Sequence, residues 1–253
     1  MSRTQFVSFL FLISLLFNVS ALAQTPEVAA VDASTKLAPT FKNDSELGVV
    51  ITGGNSQTST SNLKQANSYE WSKNVVKFSG NFLDASNKGT QQAYQWGLGV
   101  RYERDLTAKF AVFAGETLES DKYQNIEQRY STDIGGKYLI EKTSDFTWNS
   151  ELGYRFAREN YPYGFKNINF IRLYSEAEKF WTKTFSTQLW AEYLPNITQW
   201  EGYQFNTELS ASAVITSIFS LKTGYQLRYY NAPPIGVAYK TDTVFTTALV
   251  AKF

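Results

Sequence analysis

Charged side chains recur at alternate positions in several stretches of this chain, and that spacing is the first pointer to chemistry. Arg101 and Glu103 are two positions apart, as are Glu176 and Glu178, while Asp133 and Lys137, Glu151 and Arg155, and Arg172 and Glu176 are four apart. On an extended strand, positions separated by an even number share a face, so each set lines one side of a sheet. Glu192, Glu208, Lys222 and Arg228 stand in segments of the same kind. Glu176 and Glu178 are the pair nearest to the two carboxylates of glycosidic chemistry, but neighbouring acids on one strand fit a polar lining better. The chain has no His and no Cys. That removes the usual general base, the commonest metal ligand, a His-activated nucleophile and any disulfide framework. Gly53-Gly54-Asn55 and Gly135-Gly136 precede no helical pattern, so neither reads as a phosphate loop. Acids near Asp121 and Glu127 read as a solvated loop rather than a cation site. A formal net charge of +1 with no basic cluster gives no argument for nucleic acid. The reading is therefore a non-enzyme with no cofactor and no metal, whose charged residues line something.

The elements that position them show period-two alternation. In 92–104, Tyr94, Trp96, Leu98, Val100 and Tyr102 fall on the face opposite Gln95, Arg101 and Glu103. The segments around Phe146–Phe156, Tyr203–Ala213 and Phe219–Tyr229 alternate in the same way, with one face apolar and the other polar. About twelve such runs occur, from 45–53 to 240–253; ten would mean that one hairpin is spurious. The connections Ser72–Asn74, Asp105–Ala108, Lys142–Ser144, Thr182–Lys183 and Thr216–Ile218 are short. Those at Ser120–Glu127, Glu159–Asn167, Pro195–Trp200 and Ala232–Tyr239 are longer, and 160–166 could fold inward. The expected fold is all-β: a transmembrane antiparallel up-and-down β-barrel, with short periplasmic turns, longer surface loops and both termini periplasmic. Pairing the sixth and seventh strands about Thr143-Ser144-Asp145 sets Lys137 opposite Glu151, Asp133 opposite Arg155 and Arg129 opposite Glu159. Each opposed pair contributes about 0.2 to 1 kcal/mol and helps to fix register.

Composition agrees with this reading. Aromatic residues make up 16% of the chain and charged residues 19%, against a usual charged share of about a quarter. Arg3, the apolar run from Phe6 to Phe17 and Ala21-Leu22-Ala23 form a signal peptide over 1–23. Residues 24–44 read as a flexible periplasmic leader and 45–253 as the barrel. Trp71, Tyr102, Phe110, Phe146, Trp148, Phe180, Trp181, Phe185 and Phe219 gather near the inferred periplasmic ends, where an interfacial girdle would sit. The expected surroundings are outer-membrane lipid and lipopolysaccharide. The last strand ends on Phe253, which resembles the signal read by barrel-assembly machinery.

Glu46-Leu47-Gly48-Val49-Val50-Ile51-Thr52-Gly53-Gly54-Asn55 opens the first hairpin, and Arg228-Tyr229-Tyr230-Asn231-Ala232-Pro233-Pro234-Ile235-Gly236 with Lys240-Thr241-Asp242-Thr243 forms the last. These ends resemble a family of salt-induced outer-membrane proteins, a domain of unknown function. The resemblance spans 45–253, implies an outer-membrane barrel and supplies no catalytic residue. The functional expectation is a narrow channel for ions or small solutes, or an envelope-stabilising barrel. A non-conducting interaction barrel and a soluble periplasmic β-sandwich that binds a ligand are the alternatives. Arg101, Glu103, Asp133, Lys137, Glu151, Arg155, Arg172, Glu176, Glu178, Glu192, Glu208, Lys222 and Arg228 are the candidate lumen-lining residues.

Overall fold

The computed structural model describes residues 39–51 and 58–252. The expected signal peptide, the leader as far as 38 and Phe253 lie outside the described residues. Twelve strands follow one another: β1 (Thr40–Ile51), β2 (Thr58–Trp71), β3 (Asn74–Asn87), β4 (Thr90–Asp105), β5 (Phe110–Asp121), β6 (Ile126–Lys142), β7 (Phe146–Tyr161), β8 (Gly164–Phe180), β9 (Phe185–Leu194), β10 (Gln204–Val214), β11 (Phe219–Tyr230) and β12 (Thr241–Lys252). Each pairs antiparallel with its chain neighbours, and β1 closes on β12 from Asp44↔Lys252 to Leu47↔Leu249. Closure removes the free edges that an open sheet would present. Ten strands is excluded.

The alternation seen in the sequence separates the two faces. Outward positions carry Leu98, Val100, Ile134, Leu152, Leu189, Leu209 and Phe245, all exposed, with Leu98 at 54%. Tyr102, Phe110, Trp148, Phe180, Trp181, Phe185 and Phe219 are exposed near the end where β1 begins and β12 finishes. Tyr130, Tyr163, Phe165, Tyr193 and Trp200 stand at the other end. The outer face of β1 and β2 departs from this pattern. There Ser45 donates to Gln65 Oε1 at 2.6 Å and Gln65 donates to Asn67 Oδ1 at 3.1 Å, so the polar groups satisfy one another.

Several boundaries differ from expectation. β1 starts at Thr40, so residues 40–44 of the expected leader belong to the sheet, where they pair with Ala66–Glu70. The expected loop 159–167 is a tight hairpin. Its strands pair through Tyr161↔Gly164, leaving Pro162 and Tyr163 as the turn, and Gly164 takes φ +139°, open to glycine. Residues 160–166 therefore do not fold into the lumen. Lys88 and Gly89, with φ 49° and 77°, give β3–β4 a two-residue turn of the type that matches strand twist. The expected loop 120–127 shrinks to Lys122–Asn125, because Asp121 accepts from the backbone N–H groups of Tyr123 and Gln124, both at 3.1 Å. Only β9–β10 and β11–β12 carry long connections at that end among the described residues. The contrast in loop length is thus confined to one side of the rim.

Candidate functional site

The inner face has two different walls. Along β3 to β9 the charged side chains join into one network. Lys77 Nζ lies 2.6 Å from Glu103 Oε1, and Lys137 Nζ lies 3.4 Å from Glu103 Oε2. Arg101 grips Glu151 with two parallel bonds of 3.0 and 2.7 Å, and its guanidinium lies 3.8 Å from the centre of the Phe113 ring. Arg172 links Glu151 at 2.5 Å to Glu192 at 2.6 Å. Arg155 continues the chain, bidentate to Asp133 at 2.7 Å and reaching Glu192 at 3.2 Å.

Glycines make that wall possible. Phe113 needs a slot over β6 and β7, and Gly135 and Gly153 provide it. A Cβ on Gly135 would stand 2.5 Å from Leu152 O and 2.8 Å from Phe113 Cζ. With Gly115 small beneath Arg101, that side chain spans β5 and β6 to meet Glu151 on β7.

The expected register of β6 and β7 holds: Lys137↔Glu151, Asp133↔Arg155 and Arg129↔Glu159 are partners. Two of the three also form ion pairs, Arg155 with Asp133 and Arg129 with Glu159, each at 2.7 Å. The third does not. Lys137 reaches across Ala111 to Glu103 instead, since Glu151 is already held by two arginines.

Along β10 to β12 and β1 to β3 the wall is open. Lys222 sits 2.7 Å from Glu46 and 3.6 Å from Glu208, and Lys64 reaches Glu208 at 3.2 Å across the lumen. These bridges border a cavity of about 400 Å³ towards the end that holds both described termini. A second cavity of about 210 Å³ lies towards the long loops. Asn81, Gln95, Trp190, Gln226 and Arg228 line both. At that waist Arg228 donates to Gln95 Oε1 at 2.9 Å, from β11 to β4. Glu176 accepts from the Tyr174 hydroxyl at 2.5 Å, and neither Glu176 nor Glu178 has an ion-pair partner among the described residues.

The loop end is partly filled. Ala157, Ile168, Phe170 and Leu194 form a fully buried cluster on the inner face of β7, β8 and β9. The start of the β9–β10 connection continues the pairing along β8, with Ile171 N donating to Pro195 O at 3.1 Å and Ile197 N to Asn169 O at 2.8 Å. Asn196 orders this loop by accepting from the N–H groups of Thr198 and Gln199. Glu159, 0% exposed, accepts here from Arg129 and from Tyr161.

Outside the strands, Lys179 beside Asp145 holds that turn carboxyl below the usual carboxylate range. No group of three or more acidic side chains able to hold a metal ion occurs among the described residues.

All thirteen candidate residues stand on the inner face. Arg101, Glu103, Asp133, Lys137, Glu151, Arg155, Arg172 and Glu192 share the network, while Glu208 and Lys222 belong to the bridges of the open wall. Arg228 is at the waist, and Glu176 and Glu178 are near the terminal mouth. Sequence reasoning missed Lys64, Glu46, Asn62 and Trp190. The second strand, Thr58–Trp71, is polar at nearly every position, so alternation gives no phase there. Trp190 was not assigned to either face; its phase, shared with Glu192 and opposite to Leu189, carries the missed signal.

A family model described as "Protein of unknown function, DUF481" matches residues 45–253. A comparison with curated proteins finds no match. Among solved structures, the chain is similar to the COG4313 outer membrane channel from Pseudomonas putida F1, at TM-score 0.50 and 11% identity, covering 89% of this chain and 100% of that one. The NanC porin and the KdgM porin give TM-scores of 0.48 and 0.47, each at 11% identity over 84% of this chain and 98% of theirs. The first of these likenesses places the fold with outer-membrane channel barrels.

Proposed function

The chain belongs to the family Protein of unknown function, DUF481, and from that premise we propose that it is an outer-membrane barrel acting as a narrow channel for ions or small polar solutes. The observation that carries this reading is the pair of cavities meeting at the Arg228–Gln95 waist, one towards each end of the lumen. A closed sheet with an apolar belt between two sets of aromatic rings supports the membrane location. The end that holds both described termini is then periplasmic.

Twelve strands give a lumen between the filled eight-stranded type and wide porins, and the network along β3 to β9 narrows it further. A lumen of this width should leak small electrolytes and exclude larger solutes. Liposome swelling tests this: vesicles with folded barrel should swell in potassium chloride and not in a large polysaccharide. Equal behaviour of empty and loaded vesicles would end the channel reading. The apolar cluster on the inner face of β7, β8 and β9 favours the second reading, a non-conducting envelope-stabilising barrel, and that outcome would select it.

Glu176 and Glu178 place two carboxylates without an ion-pair partner among the described residues on the inner face near the periplasmic mouth. Neutralising both, Glu176→Gln with Glu178→Gln, should lower the cation-to-anion permeability ratio roughly two- to threefold, as about 0.5 kcal/mol of mouth potential is lost. Reversal potentials across a potassium chloride gradient read this directly, and an unchanged ratio would place the selecting charges elsewhere. The resemblance to salt-induced proteins carries one further expectation, that the barrel's abundance rises when cells meet high salt. Immunoblots of outer membranes before and after the shift check it, and constant abundance counts against it.

A further inference from the structure

The inward-facing aromatic residues beside the larger cavity are not explained by a channel for ions alone. Trp190 on β9 and Tyr174 on β8 face the lumen at diagonal positions, with ring centroids 6.1 Å apart and planes 26° from parallel. The Arg172 guanidinium lies 4.8 Å from the centre of the Tyr174 ring, so Tyr174 sits between a cation and an indole. Trp190 is the last ring of this ladder, half-buried and lining the cavity.

The same cavity is ringed by side-chain carboxamides, among them Asn62, Asn81, Gln188 and Gln226. Asn62 is only 6% exposed, and its Nδ2 has no hydrogen-bond partner. A buried donor left unpaired costs roughly 1 to 3 kcal/mol, which an acceptor from a ligand would offset. Glu176 uses one oxygen for the Tyr174 hydroxyl. Of the cations in the lining, Lys64 pairs with Glu208 and Lys222 with Glu46 and Glu208, while Arg228 donates to the carboxamides of Gln95 and Gln226.

We propose that this cavity is a binding site for a neutral sugar, whose ring lies on the Trp190 indole and whose hydroxyls bond to the carboxamides and to Glu176. The chemistry is complementary at each face. A pyranose offers a patch of C–H groups to an aromatic plane and a rim of hydroxyls that both donate and accept. An anionic ligand would meet four carboxylates, Asp44, Glu46, Glu176 and Glu208, against three cations, Lys64, Lys222 and Arg228, whereas an apolar one would leave the carboxamides unpaired. The volume of about 400 Å³ lies within the span of small-molecule sites, about 300 to 1,000 Å³.

The route by which the sugar arrives rests on the channel reading, but binding does not. The test is calorimetric titration of the folded full-length barrel in detergent with maltose, a glucose disaccharide. Binding is expected for the native protein and at least tenfold weaker for Trp190→Leu and for Asn62→Leu, both checked for native heat-dependent gel migration. Sorbitol, which has the hydroxyls without the ring face, should not bind. Absence of maltose binding, or binding unchanged in both variants, would overturn the site. Tighter binding of sodium glucuronate than of maltose would overturn the neutral class. Ion flux without maltose binding removes the site and leaves the channel; maltose binding without ion flux does the reverse.

Discussion

Arg129→Met is expected to destabilise the barrel by about 3 to 5 kcal/mol, the range for breaking a buried pair and leaving one charge behind. Glu159 is fully buried and accepts from Arg129 Nε at 2.7 Å and from the Tyr161 hydroxyl. The buried cluster of Ala157, Ile168, Phe170 and Leu194 shares this end of the inner face, and Lys166, the cross-strand partner of Glu159, is engaged with Gln199 Oε1 at 2.9 Å. Arg172 makes a useful contrast. Its removal leaves Glu151 with Arg101 and Glu192 with Arg155, so the network redistributes and the loss is smaller. Denaturant unfolding in lipid, followed by tryptophan emission, measures both. The double variant Arg129→Met with Glu159→Leu should recover most of the loss, because an apolar replacement of a whole buried pair is often close to neutral. If the single and double variants were equally unstable, packing of the Arg129 stem rather than its charge would be the cause.

The second large effect concerns the outer face. Leu98 is 54% exposed and lies in a row with Leu118 and Gly80, away from both aromatic ends. Placed in lipid, Leu98→Arg should cost about 2 to 4 kcal/mol of insertion free energy, the figure for a cation near the bilayer midplane. Leu106→Arg, in the β4–β5 turn, is the control and should cost little, since it remains at the water boundary. Folding yields into liposomes across a urea series compare the two. Equal tolerance at both positions would mean that the Leu98 face meets water.

Much of the fold was legible because each residue pair repeats a single physical rule. Alternation of Tyr94, Trp96 and Leu98 with Gln95, Arg101 and Glu103 assigns both faces of β4, and a one-residue slip would invert them. The turn at Thr143-Ser144-Asp145 then fixes Asp133 opposite Arg155. The same rule fails where both faces are polar, as in β2, so Lys64 and Asn62 went unseen. It also fails beyond the first neighbour. Lys137 was assigned to Glu151 by register, but Ala111 is small enough for it to meet Glu103 two strands away, and strand pairing alone does not reveal that contact. Loop lengths misled for a related reason. Pro162-Tyr163-Gly164 reads as loop composition, yet the pairing of β7 and β8 continues to the residues flanking it. Trp190 shows the limit most clearly, since it shares the phase of Glu192 but its residue type gives no pointer to the lumen.

The measurement that bears most directly on the central claim is single-barrel recording in a planar bilayer, on the native protein and on Arg228→Ala. Arg228 and Gln95 close the waist between the two cavities. The native barrel should give discrete current steps smaller than those of wide sixteen- to eighteen-stranded porins, and Arg228→Ala should give larger ones. Insertion of both proteins with native heat-dependent migration but no current from either would contradict the channel.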